Sequence, residues 1–191
     1  MRVIGGELKR RRLHGAAGDA KSLRPTSDLV RESLFNLLDD YVRGAVFLDL
    51  FAGTGAVGIE ALSRGAERVV FVENSAESLK ILRRNVSDLS LESRCVVRQM
   101  DVSRFLDSAA AAGEIFDIIF ADPPYDAGFQ PMLLEKLGPG GMIAPYGLAV
   151  IERRNQPEVQ SAGNLVLADS RSYGKSTLTL WRKRPSEIPS E

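Results

Sequence analysis

Phe47-Leu48-Asp49-Leu50-Phe51-Ala52-Gly53-Thr54-Gly55-Ala56-Val57-Gly58 is the stretch that decides the fold. It lies across the end of a near-continuous apolar run, residues 45–50, whose lack of alternation predicts a strand buried on both faces. Gly53-Thr54-Gly55 predicts a tight turn, and residues 56–64 a helix that Gly65 stops. Strand, glycine turn, helix is the repeating unit of wound α/β sheets. In such sheets ligands bind at the carboxyl ends of the strands, which is where this turn falls.

Working outward, the same rhythm continues downstream. Strands are predicted at 68–72, 94–98, 116–121 and 148–152, and helices at 76–89, 103–112 and 129–137. The alternation predicts an open, mostly parallel sheet with right-handed crossovers on both faces, a Rossmann-like α/β fold. Near the end it breaks: residues 164–169 and 176–181 read as two strands joined through Tyr173-Gly174, an antiparallel hairpin. Residues 185–191 are polar and proline-bearing, an expected disordered tail. Upstream, Val3-Ile4, Gly5-Gly6 and residues 7–13 suggest a β-hairpin, and residues 15–21 a flexible loop. Arg24-Pro25-Thr26-Ser27 opens a helix that Thr26 or Ser27 can cap, with Asp28 at the positive end of its dipole. Val30, Leu34, Leu37, Leu38 and Tyr41 share one face of it, and Gly44 ends it. The expected organisation is an N-terminal extension (1–26), one domain (27–184) and a tail (185–191).

Composition narrows the class. A chain of 191 residues, 44% hydrophobic and 26% charged, suits one ordinary globular domain. No apolar run approaches the ~18 residues of a membrane span, and Met1 to Leu13 lacks the apolar core of a signal peptide. The single cysteine, Cys95, gives no disulfide framework and no zinc cluster, so no metal and a cytoplasmic location are expected. Net charge is zero, but it is unevenly spread. Residues 1–31 hold eight basic against three acidic residues and residues 150–184 seven against three, leaving the middle acidic.

Three carboxylates follow the predicted strands. Asp49 stands at the end of the first, Glu73 at the end of the second, where it can accept from both ribose hydroxyls, and Asp101 just beyond the third, where it can accept from an adenine amino group. Together with the glycine turn they offer a cradle for an adenosine. Gly53, Gly55 and Gly58 also satisfy G-x-G-x-x-G, so with Glu73 a nicotinamide dinucleotide stays open. Asp49 leans against it, because a carboxylate suits a cationic ligand better than a pyrophosphate. So does the run after the fourth strand, Asp122-Pro123-Pro124-Tyr125. Two prolines stiffen the chain and remove N–H donors, so it presents carbonyls. Asp122 and the Pro123 carbonyl can then accept both hydrogens of an exocyclic amine, freeing its lone pair. Tyr125 offers a flat face for a ring, and stacking of a base is worth roughly 1–3 kcal/mol.

Asp49-Leu-Phe-Ala-Gly-Thr-Gly55, Glu73, Asp101 and Asp122-Pro-Pro-Tyr125 resemble the motif series of class I, seven-stranded S-adenosylmethionine-dependent amino-methyltransferases. Arg2-Val-Ile-Gly-Gly-Glu7, Leu23-Arg-Pro-Thr26 and Val30-Arg-Glu-Ser-Leu-Phe35 narrow the resemblance to the RsmD family of bacterial small-subunit (16S) ribosomal RNA guanine-N2 methyltransferases, over about residues 2 to 184. The resemblance implies S-adenosyl-L-methionine as cofactor and a sheet whose last strand is antiparallel. It implies Asp49, Phe51, Gly53 and Gly55 around the methionine moiety, Glu73 on the ribose, Asp101 with Val102 on the adenine, and Asp122 to Tyr125 on the target base. It implies ribosomal RNA as partner, within the small subunit or free of it, and gives the basic ends a purpose. Lys9, Arg10, Arg11 and Arg12 are expected on phosphates. Arg24, held by Pro25, belongs either near the site or in a helix-entry salt bridge. His14 reads as a loop residue, since a methylated amine sheds its proton without a dedicated base. Two other readings remain at this point. One keeps the cofactor and changes the substrate to DNA adenine or protein glutamine, and the other is a nicotinamide-dependent oxidoreductase.

Overall fold

Successive residues of a strand point to opposite faces of its sheet, and in β1 (Val46–Leu50) both faces are apolar. Phe47 joins Val69, Phe71, Ile118 and Phe120 in one core, and Leu48 and Leu50 join Val70, Val72 and Ile119 in another. Each core needs its own helical cover. The first is closed by α1 (Asp28–Leu38), α2 (Ala56–Ser63) and α3 (Ala76–Asp88), through Leu34, Ile59 and Leu82. The second is closed by α4 (Val102–Ala112) and α5 (Phe129–Leu137), through Phe105 and Leu133. This computed structural model describes residues 1–15, 28–124, 129–139, 141–153 and 159–184.

The sheet runs β3-β2-β1-β4-β5-β8-β7-β6. Its parallel part is β1, β2 (Arg68–Glu73), β3 (Cys95–Gln99), β4 (Phe116–Ala121) and β5 (Ile143–Arg153). The terminal hairpin is β7 (Leu165–Tyr173) and β8 (Ser176–Lys183), and β8 inserts antiparallel beside β5. The doubly wound sheet and the antiparallel last strand are as the sequence predicts. An eighth strand is added, the two-residue β6 (Ser161–Ala162), which pairs with the outer side of β7. No described helix is long and apolar enough to cross a membrane.

Several segments depart from the expected boundaries. α1 ends at Leu38 and a 3-10 turn carries Asp39–Val42, so Tyr41 leaves the expected apolar face and is exposed. β7 runs past the expected 169 to Tyr173, because its pairing with β8 continues to the turn. β5 starts five residues before the predicted 148, because its first part carries a bulge. Phe116 pairs with Ile143 and Ile118 with Leu148, so β5 spends five residues where β4 spends two. Pro145 and Gly147 fall in that bulge and read as loop in the sequence, and Tyr146 there has φ +66°.

The N-terminal hairpin is reduced to a single bridged pair, Arg2 opposite Arg12, and the chain between is mostly turns. Side chains of the domain hold it instead. Glu60 accepts from the backbone N–H of Ile4 and Gly5, both at 2.7 Å. The Ser63 hydroxyl accepts from Leu8 N–H at 2.9 Å and donates to Gly5 O at 2.6 Å. Gly6 sits so close to α2 that a Cβ would stand 1.8 Å from Ser63 O, and its φ is +74°. The glycine pair is thus a docking requirement rather than a hairpin turn. The expected helix opening at Arg24 to Ser27 and the expected tail at 185–191 lie outside the described residues.

Candidate active site

β1 and β4 are neighbours in the sheet although β2 and β3 intervene in the chain. The connections leave their carboxyl ends in opposite directions, which opens a crevice at that point. Asp49 lies beneath it, paired in register with Phe71 and Phe120 and 1% exposed. Its Oδ2 accepts Gly58 N–H at 2.9 Å, binding the strand to the first turn of α2. Burial lifts its carboxyl from 3.8 to about 7; the Gly58 bond opposes this, while the charges of Asp122 and Glu73 add to it. A buried carboxylate facing two others is a site that a cation would relieve.

Glu73 is half-buried at the end of β2 and shapes the glycine loop directly. Its Oε2 accepts Gly53 N–H at 2.7 Å, and Oε1 accepts the N–H groups of Ser75 at 2.7 Å and Asn74 at 2.8 Å. A carboxylate has about four acceptor positions, so three are occupied by the backbone and about one is left for a ligand hydroxyl. Gly53 has φ +55°, and a Cβ there would find only Phe51 O, 4.0 Å away, so the loop faces open space. The third glycine of the G-x-G-x-x-G pattern has another role: a Cβ on Gly58 would stand 2.2 Å from the Phe71 ring, so it lets α2 lie on the sheet.

Phe51 has φ +59° without being glycine, a conformation that costs of order 1–3 kcal/mol. Its ring meets that of Phe129 edge-on, 5.0 Å between centroids, so the start of α5 leans over the glycine loop. At the end of β3, Asp101 caps α4 by accepting Arg104 N–H on Oδ1 at 3.1 Å, which leaves Oδ2 for another donor. Val102 beside it is buried. Asp122, half-buried, and Pro123, buried, leave the end of β4, followed by exposed Pro124.

The structure therefore brings Asp49, Phe51, Gly53, Gly55, Glu73 and Asp122 to three adjacent strand ends, with Asp101 and Val102 at a fourth. Tyr125 and Arg24 lie outside the described residues. Lys9, Arg10, Arg11 and Arg12 stand apart, exposed on the N-terminal segment, where Arg11 Nη2 donates to Asp88 O at 3.3 Å. His14, 2.8 Å from Asp88 Oδ2, belongs to the same side. The acceptors at the strand ends, the anionic setting of Asp49 and the open glycine loop suit a cationic adenosyl ligand.

Three residues that matter to this arrangement were not singled out from sequence. Asn85, 1% exposed on α3, accepts His14 N–H at 2.7 Å and donates to His14 O at 3.1 Å and to Thr54 O at 2.9 Å. It ties the N-terminal segment to the glycine loop, and a lone Asn on a helix carries no signal of that. Phe129 gave none either. Glu60 did: an acid within the otherwise apolar Ala56-Val-Gly-Ile-Glu60-Ala-Leu62 is out of place on a buried helix unless paired.

Comparison with known proteins bears on family and fold. The family model described as Conserved hypothetical protein 95 matches residues 1–182. The Bacillus subtilis (strain 168) protein YlbH is 38% identical over 185 residues, covering 96% of this chain and all of that one. The Escherichia coli (strain K12) ribosomal RNA small subunit methyltransferase D is 36% identical over 152 residues, 80% of this chain and 74% of its own length. The solved structure of Escherichia coli yhhF, a methyltransferase by its description, superimposes with a TM-score of 0.84 at 31% identity, covering 96% of this chain and 98% of that one. Sheet, strand-end carboxylates and relatives converge, and the chain belongs to the RsmD family of methyltransferases.

Proposed function

We propose that this protein transfers the methyl group of S-adenosylmethionine to the exocyclic N2 amine of a guanine in small-subunit (16S) ribosomal RNA. The observation that carries the proposal is the placement of Asp122-Pro123-Pro124 at the end of β4, close enough to the glycine loop for the Asp122 charge to act on Asp49. The nicotinamide reading of the same glycines does not survive membership of a methyltransferase family, and the names of the relatives favour ribosomal RNA over DNA or protein.

When bound, S-adenosylmethionine supplies an electrophilic methyl group on a positively charged sulfur. Asp49 and Asp122 provide the negative surroundings that such a charge requires. Glu73 holds the loop through Gly53 and offers its remaining acceptor position to the ribose, and Asp101 Oδ2 is placed for the adenine amino group. Asp122 and the Pro123 carbonyl accept the two hydrogens of the target amine, and Tyr125 stacks on the base. That orientation aims the nitrogen lone pair at the methyl carbon, and holding reactants in line is worth several orders of magnitude. On taking the methyl group the amine nitrogen becomes positive and strongly acidic, so its proton passes to solvent beside the Asp122 carboxylate without a dedicated base, while Asp122 and the Pro123 carbonyl keep the amine oriented.

The test is single-turnover methylation of small-subunit ribosomal RNA, with mass mapping of the modified nucleotide. Asp122→Ala should slow methylation roughly 10²–10³-fold, the usual effect of removing one oriented transition-state partner, while S-adenosylhomocysteine binding changes far less. Tyr125→Phe should retain most activity and Tyr125→Ala should not. A methyl group found on any nucleotide other than guanine, or an Asp122→Ala variant of normal rate, would overturn the proposal.

A further inference from the structure

The parallel sheet has a second end, where its strands begin, and a cleft of about 260 Å³ opens there. One wall is the turn from Tyr41 to Ala45 and the other is the β5 bulge that carries Pro145 and Tyr146, with Asp117 on the floor. Tyr146 is 93% exposed and has φ +66°. A left-handed, bulky side chain so exposed buries almost nothing against the described residues to offset its strain. Tyr41 is 47% exposed. The Arg182 guanidinium lies 5.8 Å from its ring centre, and Nη2 donates to its hydroxyl at 3.3 Å. Arg43, exposed, lines the same opening. The Asp117 carboxylate accepts Val46 N–H on Oδ2 at 2.8 Å and keeps acceptor capacity towards the cleft.

Two aromatic planes, two arginines and one carboxylate acceptor form a set that a nucleotide satisfies completely. The rings offer faces for a base, Arg43 on the rim and Arg182 held against Tyr41 offer positive charge to a phosphate, and the carboxylate offers an acceptor to an amino or imino N–H. The volume, below the usual range of pockets for drug-sized ligands, suits one planar heterocycle. The cleft also adjoins the basic N-terminal segment. Glu7 N–H donates to Ser63 O at 2.7 Å, and Gly44 N–H donates to Gly65 O at 2.8 Å, so only the turn at residues 63–65 separates the two. From this continuity we infer that the cleft receives an unpaired base of the RNA substrate, extending the contact made by Lys9 to Arg12 to the end of the sheet opposite the chemistry. The inference rests on the RNA reading given above.

The test compares Tyr41→Ala/Tyr146→Ala, the matching double Phe variant, and a fourfold Ala variant of Lys9, Arg10, Arg11 and Arg12. The probe is a small-subunit ribosomal RNA transcript, bound over a range of salt, with S-adenosylhomocysteine calorimetry as a check on folding. Loss of one stacked base should weaken RNA binding roughly tenfold or more in the double Ala variant, while the double Phe variant stays near wild type. Because stacking is not ionic, the salt slope of the double Ala variant should match that of the wild type, and only the fourfold variant should flatten it. Photocrosslinks from 4-thiouridine RNA should fall on the Tyr41 or Tyr146 peptides. If the double Ala variant binds RNA normally while the fourfold variant does not, the cleft is excluded and the RNA reading stands. If neither variant loses affinity, the RNA reading itself falls. If the tyrosines crosslink to a ribosomal protein within assembled subunits and never to RNA, the surface belongs to that protein and the inference is overturned.

Discussion

The anchor of the N-terminal segment and the floor of the glycine loop use the same chemistry to different ends. In each, a carboxylate with almost no solvent exposure accepts backbone N–H, Glu60 from the irregular N-terminal segment and Asp49 from the first turn of α2. Glu60 accepts from Ile4 and Gly5 and is also met by Arg64 Nε at 2.8 Å and Arg31 Nε at 3.7 Å. Among the described residues Asp49 accepts only Gly58 N–H, and the charges acting on it are Asp122 and Glu73. One carboxylate has its cations built in, and the other is surrounded by its own kind. The bearing of a buried acid therefore depends on its neighbours: the arginines make Glu60 a structural tie, whereas among the described residues the charges acting on Asp49 are acidic.

The harshest way to break this contrast is to remove Glu60. Glu60→Ala takes from the fully buried Arg31 one of its two carboxylates, leaving Asp28, and strands the N–H groups of Ile4 and Gly5; it should lower the unfolding free energy by roughly 3–5 kcal/mol. Urea denaturation measures it, and an unchanged midpoint would show that the tie contributes nothing. Asp49→Asn should behave in the opposite way, leaving the empty protein as stable or more so while weakening the cofactor. Its pH signature is sharper. With a carboxyl raised to about 7, the empty fold keeps a proton that the unfolded chain gives up near pH 4. This group therefore makes the empty protein less stable as pH rises from about 4 to 7. A cationic cofactor selects the ionised form, so affinity should be full above pH 7 and fall about tenfold per unit below it. Calorimetry at pH 6 and 8 distinguishes the cases: the slope should vanish in Asp49→Asn, and a wild type without a slope would remove Asp49 from the site.

The smallest effect belongs to Arg10, an exposed cation held at φ +71°. Glycine would be the comfortable residue there, so Arg10→Gly should raise stability slightly, by up to ~1 kcal/mol. It should also weaken RNA binding a fewfold and reduce its salt slope by about 0.9. A variant that binds RNA with the wild-type slope would make Arg10 a bystander.

What could be read from the sequence follows from how local its causes are. β1, the glycine loop and α2 were legible because a buried strand, a tight turn and a helix each leave their signature within a few residues. Asp49, Glu73, Asp101 and Asp122 were legible because strand ends in such a sheet must converge. The N-terminal segment was not, since its shape is imposed by Glu60, Ser63 and Asn85, acceptors and donors far along the chain. Gly5-Gly6 looked like a hairpin turn, and only the proximity of Ser63 shows why glycine is needed. The start of β5 was hidden for the reverse reason: Pro145 and Gly147 are loop residues by every local rule, yet they lie within a strand whose pairing resumes at Leu148.

The bonds that fix the N-terminal segment span 55 to 77 residues. A chain made from its N-terminus exposes Ile4, Gly5 and His14 long before Glu60 and Asn85 exist to receive them. These residues are therefore placed only after the partners far along the chain are made, and loop closure over such distances is slow compared with the local turns of α2 and α3. Until then the basic stretch from Lys9 to Arg12 is an untethered cationic arm, and it becomes a shaped surface only when the sheet behind it is complete.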